Sequence, residues 1–159
     1  MIIKHKQEGF TLVELGFSLV KLMIIVSIIS VLTEQDRIKK SKVSEANTLF
    51  AGFKTEIMNI YSDKGIYPDT TMLKNGGVVF QGTYSTATYD DAMAVAGTPQ
   101  VCFKVMGFEA NQDNICWKYA PSTKDVTQRV WHCRKEQVPP TTIADQYLPK
   151  NCKSTAAAL

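Results

Sequence analysis

Apolar residues are spread unevenly along the chain, and their spacing changes twice. From Phe10 to Leu32, 16 of 23 positions are apolar, far denser than in the rest of the chain. Further on the pattern thins to a stripe. Val43, Ala46, Phe50, Phe53, Ile57 and Ile60 recur at i, i+3/i+4, the spacing of an amphipathic helix. Lys39, Lys42, Glu45, Lys54 and Glu56 occupy the other face. No proline occurs before Pro68, so one helix is predicted from about Phe10 to Tyr61, stopped by Ser62-Asp63-Lys64-Gly65. Residues 65–100 then read as a long connection with one strand at Val78–Tyr84, after the Gly76-Gly77 turn signal. Three more strands are predicted at Val101–Phe108, Ile115–Ala120 and Thr127–Arg134. The loops between them, Glu109–Asn114 and Pro121–Val126, are short enough for an antiparallel meander. The fold class is therefore α+β: a long N-terminal helix whose stripe covers one face of a small antiparallel sheet.

Composition adds a size limit. The 159 residues suffice for one domain with a real core, and at 45% apolar a disordered chain is excluded. At about 1.5 Å per residue, 23 helical residues reach roughly 35 Å, enough to cross a bilayer core of about 30 Å. Glu14 and Lys21 interrupt that stretch. An ionisable group at mid-membrane depth costs about 3 kcal/mol, so both call for partners from another chain. Their seven-residue spacing puts them on one helix face but about 10 Å apart, too far to pair with each other. A cleaved secretory signal fits less well, because the stretch is long, carries charge and lacks a small-residue exit. A plain single-pass anchor gives no reason for Glu14. Lys4 and Lys6 before the stretch are matched by Arg37, Lys39, Lys40 and Lys42 after it, so charge sets no orientation.

Gly9-Phe10-Thr11-Leu12-Val13-Glu14-Leu15, behind a short charged leader, resembles the peptidase recognition sequence of type IV pilin precursors. The likeness continues through Met23–Leu32, Gln35-Asp36 and Val43-Ser44-Glu45-Ala46, and returns at Tyr147-Leu148-Pro149-Lys150-Asn151-Cys152. Residues 63–130 match in layout alone. The resemblance implies a type IV pilin fold with a disulfide-bounded C-terminal loop. It implies a leader over residues 1–9, an apolar helix over 10–33 acting as membrane span and filament core, and an amphipathic half-helix plus globular domain over 34–159. It implies cutting by a prepilin peptidase between Gly9 and Phe10, N-methylation of Phe10, and a role for Glu14 in assembly, facing the N-terminal amine of a neighbouring subunit. Cutting there leaves 150 residues and moves the net charge from +3 to +2.

One feature departs from that family. Gly16-Phe17-Ser18-Leu19-Val20-Lys21-Leu22 repeats Gly9–Leu15 with five identities in seven. The usual proline-containing, alanine- and isoleucine-rich stretch before Gln35-Asp36 is missing, so the repeat preserves span length while changing its content. Gly16-Phe17 forms a second candidate cut site. Cutting there would put Lys21 where Glu14 belongs, and the polar, basic flank of Gly9 favours the first site.

Cys102, Cys116, Cys133 and Cys152 form no C-x-x-C pair, and His132 is the one histidine near them, a poor pattern for zinc. An even number in an exported domain reads as two disulfides, with three connectivities open. The preferred pairing is Cys102–Cys116 across adjacent strands and Cys133–Cys152 closing the C-terminal loop, the second resembling the family's disulfide-bounded region. No catalytic, metal or cofactor site is expected: the chain has no phosphate-binding loop and no nucleophile motif. Asp90-Asp91 reads as a solvated turn rather than a calcium site. The basic cluster Arg37–Lys42 is surrounded by Glu34, Asp36 and Glu45, a weak pattern for nucleic acid.

The expected function is a structural subunit of a type IV pilus, polymerising through its N-terminal helix for adhesion or motility. Its expected partners are identical subunits, the inner membrane before assembly, the prepilin peptidase and the assembly machinery; its final location is the extracellular pilus. The alternatives are a minor pilin, a type II secretion pseudopilin, or a membrane-tethered binding domain that never polymerises.

Overall fold

The computed structural model describes residues 12–122, 125–133 and 140–153, and within the first helix every side chain except those at 12, 26 and 28–33. The chain divides into two compact units between Arg37 and Ile38. Helix α1 is continuous from Leu12 to Lys64. It ends where glycine allows it: Gly65 has φ +70° and its N–H bonds the Tyr61 carbonyl at 2.8 Å. The helix thus runs three residues past Tyr61 and ends within the predicted stop, Ser62–Gly65.

In the first unit the described large apolar side chains of α1 between Val13 and Ile25 are all exposed in the isolated chain. Ser27 satisfies its hydroxyl by bonding back to the Met23 carbonyl at 2.8 Å, so a serine costs this apolar helix little. The expected membrane span has no counterpart among the described residues, where no helix is long and apolar enough to cross a membrane. Glu14 and Lys21 dilute the described part of the stretch, and its remainder falls on side chains outside the description.

The second unit is α1 from Ile38 onward, packed on a four-stranded sheet. Strands β1 (Ser85–Tyr89), β2 (Gln100–Val105), β3 (Asn114–Pro121) and β4 (Arg129–His132) lie side by side in chain order, each antiparallel to the next. The predicted stripe faces this sheet: Val43, Ala46, Phe50, Phe53 and Ile57 are buried, and Ile60 is half-buried. Phe53 meets Phe103 of β2 edge-on with ring centroids 5.7 Å apart. Two buried aromatic rings of this size supply much of the apolar area that holds helix to sheet.

Two expectations for residues 65–100 are corrected. The strand placed at Val78–Tyr84 forms instead at Ser85–Tyr89, where Ser85, Ala87 and Tyr89 alternate inward. Val78–Phe80 supplies only a partial flank, with the Ala87 N–H bonding the Phe80 carbonyl at 2.7 Å. Pairing stops at Gly82, where a Cβ would collide with Glu45 and come within 2.8 Å of Leu49 Cδ1. The connection also contains two short helices that were not predicted, α2 (Thr70–Asn75) and α3 (Asp91–Val95). Each starts at an aspartate cap: Asp69 accepts from the Met72 N–H at 2.7 Å and Asp90 from the Met93 N–H at 3.0 Å. The last strand is shorter than predicted, starting at Arg129, and Arg134 lies outside the described residues.

Candidate assembly surface and C-terminal region

The residues expected to mediate processing and assembly lie at one end of the chain. Gly9 and Phe10 fall outside the described residues. Glu14 lies in the first turn of α1, the favourable end of the helix dipole for a carboxylate, and is exposed in the isolated chain. Gly16, in the repeat, has nothing within 4 Å of where a Cβ would stand, so it gives α1 an open notch without packing against anything described.

The C-terminal region is tied down by a disulfide, by hydrogen bonds of Thr141 and Thr142 and by buried apolar side chains. The disulfides join Cys102 to Cys116 and Cys133 to Cys152. Cys102 and Cys116 are directly opposite each other on β2 and β3. The second bridge fastens the segment after β4 to a 3-10 turn at Lys150–Cys152. Between these bridges sits Thr141, fully buried. Its hydroxyl accepts the Cys116 N–H at 3.1 Å and donates to the Cys133 carbonyl at 3.0 Å. A buried hydroxyl with both roles filled has no desolvation debt left. Thr142 then exchanges bonds with Asn114, its N–H reaching the Asn114 carbonyl at 2.8 Å. Ile143 and Leu148 complete the attachment by burial in the core.

The polar face of α1 has more to do than meet water. Glu45 accepts the backbone N–H groups of Thr83 at 2.5 Å and Tyr84 at 3.0 Å, holding the loop before β1 against the helix. Lys42 places its ammonium 5.2 Å from the Tyr84 ring centroid. Lys39 sits 5.7 Å from the Phe108 centroid and 5.4 Å from that of Tyr147, linking α1 to the disulfide-bounded segment. Sequence spacing put all three on the solvated face; the signal that they have partners is the run of aromatics at 84, 108 and 147, which periodicity cannot connect to them.

Asp90 and Asp91 are structural. Asp90 caps α3, while Asp91 accepts both the N–H and the hydroxyl of Thr70 at 2.7 Å, joining the starts of α2 and α3. Among the described residues, no three His, Cys, Asp or Glu side chains converge in a way that could hold a metal ion.

Residues 39–153 match the family described as pilin, of bacterial filaments. This chain belongs to the pilin family. The match covers the striped half of α1, the sheet and both disulfides, so the fold class and the family agree. The pilin is 27% identical over 162 residues to the fimbrial protein EcpC of Eikenella corrodens, covering 98% of this chain and 96% of that protein. Its role is that of a pilus or fimbrial structural subunit.

Proposed function

We propose that this pilin polymerises into an extracellular filament by burying the first half of α1 against the same segment of neighbouring subunits. The observation that carries this reading is the row of nine large apolar side chains from Val13 to Ile25, each 52–73% exposed in the isolated chain. A contiguous apolar surface of that kind marks an interface with protein or lipid. On this reading residues 1–9 are a leader, 10–33 form the filament core, and 34–159 carry the outer domain. A prepilin peptidase cuts between Gly9 and Phe10, and the Phe10 amine is N-methylated. The carboxylate of Glu14 pairs with that amine on the next subunit, because a buried anion beside an ammonium is far better placed than one alone in a low-dielectric core. Before assembly the same segment is held in the inner membrane as a single pass, from which the assembly machinery extracts it. The filament then serves adhesion or motility, and the subunit's role is mechanical rather than catalytic.

The test is Glu14→Ala in cells that make pili. The expected result is a cut, membrane-retained subunit and loss of sheared filaments. A normal pilus yield from the variant overturns the pairing. N-terminal sequencing of wild-type filaments is expected to begin at Phe10; a start at Phe17 reassigns the cut to the repeat.

A further inference from the structure

At one end of the sheet, five segments of the second unit converge on a cleft that plays no part in the filament reading. Tyr61 comes from the last turn of α1, Tyr67 from the loop after it, Gly97 from the turn after α3, Tyr119 from β3, and Thr127 and Arg129 from the β3–β4 hairpin. The cleft holds about 450 Å³, within the range of small-ligand sites, and its lining is predominantly polar. Its walls are fixed. Tyr61 and Tyr67 stack with centroids 4.3 Å apart, and Tyr67 meets Tyr119 edge-on at 6.2 Å. Tyr119 in turn leans on Trp131 at 5.2 Å. The Arg129 guanidinium donates to the Gly97 carbonyl. The Tyr119 N–H bonds the Pro99 carbonyl at 2.9 Å, which holds the Gly97 turn next to β3.

We propose that this cleft binds an acidic sugar, a pyranose ring carrying a carboxylate. A pyranose has a C–H face and a hydroxyl rim, and the cleft offers both complements. Tyrosine rings present flat apolar surface at low conformational cost, with hydroxyls at their edges. The Thr127 hydroxyl donates to Asp125 at 2.6 Å, which leaves its oxygen as an acceptor for a sugar hydroxyl. The anionic part of the specificity comes from Arg129. A guanidinium has five N–H donors, and the bond to the Gly97 carbonyl leaves four. Arg129 is exposed and, among the described residues, has no carboxylate partner, so a planar carboxylate can approach its fork. A purely apolar ligand would leave those donors and the tyrosine hydroxyls without bonds.

The test uses the full-length chain in detergent micelles, so it does not depend on filament formation and its failure leaves the pilus reading intact. Saturation-transfer NMR is recorded with glucuronic acid, glucose and inorganic phosphate. The expected result is transfer to the ring protons of glucuronic acid, with half-saturation at a concentration about tenfold below that for glucose. Equimolar phosphate leaves that signal in place. Arg129→Gln removes the preference for the acid, and Tyr61→Ala weakens both sugars about tenfold. Both side chains are exposed, so an unchanged melting temperature verifies that each variant is folded. Absence of transfer, equal affinity for the two sugars, displacement by equimolar phosphate, or folded variants that bind like the parent would each overturn the proposal.

Discussion

The ring of Phe50 lies flat on the indole of Trp117, centroids 4.3 Å apart and planes 8° from parallel. Helix and sheet meet through this pair, since Phe50 belongs to the buried stripe of α1 and Trp117 to the central strand β3. Trp131 closes on the same phenyl ring edge-on at 5.1 Å. Removing the phenyl group would open a cavity walled by two indoles that cannot collapse inward without leaving their own strands. Phe50→Ala is therefore expected to destabilise the domain by about 3 kcal/mol, read by thermal or urea unfolding. Lys54→Ala, on the exposed face of the same helix, should move the transition by less than about 0.5 kcal/mol. Equal effects would mean that the helix is not held through this pair.

Glu45 holds the loop before β1 by two backbone hydrogen bonds, one to Thr83 and one to Tyr84. Both partners are exposed, so water can replace the carboxylate, and the loss in Glu45→Ala is expected to be about 1 kcal/mol. The local effect should be larger than the global one. Hydrogen exchange at the Thr83 and Tyr84 amides is expected to speed up severalfold while the β2–β3 amides keep their protection. Glu45→Gln, which retains one acceptor oxygen, should fall between the parent and the alanine variant.

The long helix and the meander were legible because their signals are local and repeated. Val43, Ala46, Phe50, Phe53 and Ile57 hold one period over four turns, and each of the last three strands contains its own run of β-forming residues. The region from 65 to 100 was not legible for the opposite reason. Helices α2 and α3 have six and five residues, too few for a 3.6-residue period to show, and their only mark is an aspartate three residues before the N–H it accepts. The strand at Ser85–Tyr89 was missed because its inward residues are Ser85, Ala87 and Tyr89, while the greasier Val78–Phe80 draws the eye. Its position is decided by tertiary packing: Gly82 must pass close to Glu45 and Leu49, which ends the earlier run. The tyrosine cleft needs residues 61, 67, 119 and 129 to meet, and no spacing along the chain encodes that.

Tyr89 predicts how the domain meets alkali. Its ring is buried, and its hydroxyl donates to the Pro68 carbonyl at 3.0 Å. Burial pushes the phenol well above its usual value near 10, and the carboxylates of Asp91 and Asp69 push it the same way. A group whose folded pKa is raised contributes its stability fully below the unfolded pKa. That contribution is lost as pH climbs beyond it, by up to about 1.4 kcal/mol per pH unit. The domain should therefore hold its stability up to about pH 10 and weaken steadily above it. Unfolding midpoints measured from pH 8 to 12 are expected to show this fall. Tyr89→Phe should start lower, for want of the Pro68 bond, and decline less steeply. A parallel decline in both proteins would show that Tyr89 does not set the alkaline limit.

The two disulfides should fail differently when removed. Cys133 and Cys152 are 19 residues apart and Cys102 and Cys116 are 14 apart, so chain entropy alone assigns each about 3 kcal/mol. Their surroundings separate them. Cys102 and Cys116 face each other in a ladder that the flanking pairs Val101–Trp117 and Phe103–Ile115 already hold in register. The Cys133–Cys152 bridge closes a segment whose described part, residues 140–152, has little regular structure and is attached by Thr141, Thr142 and the buried Ile143 and Leu148. Replacing Cys102 and Cys116 by serine should lower the unfolding transition but keep it single. The same change at Cys133 and Cys152 should also free the C-terminal segment at temperatures where the sheet persists. Limited proteolysis well below the main transition is then expected to cut within residues 140–153 in the second double variant alone. Cutting there in both variants would show that the sheet, rather than its own bridge, holds this segment in place.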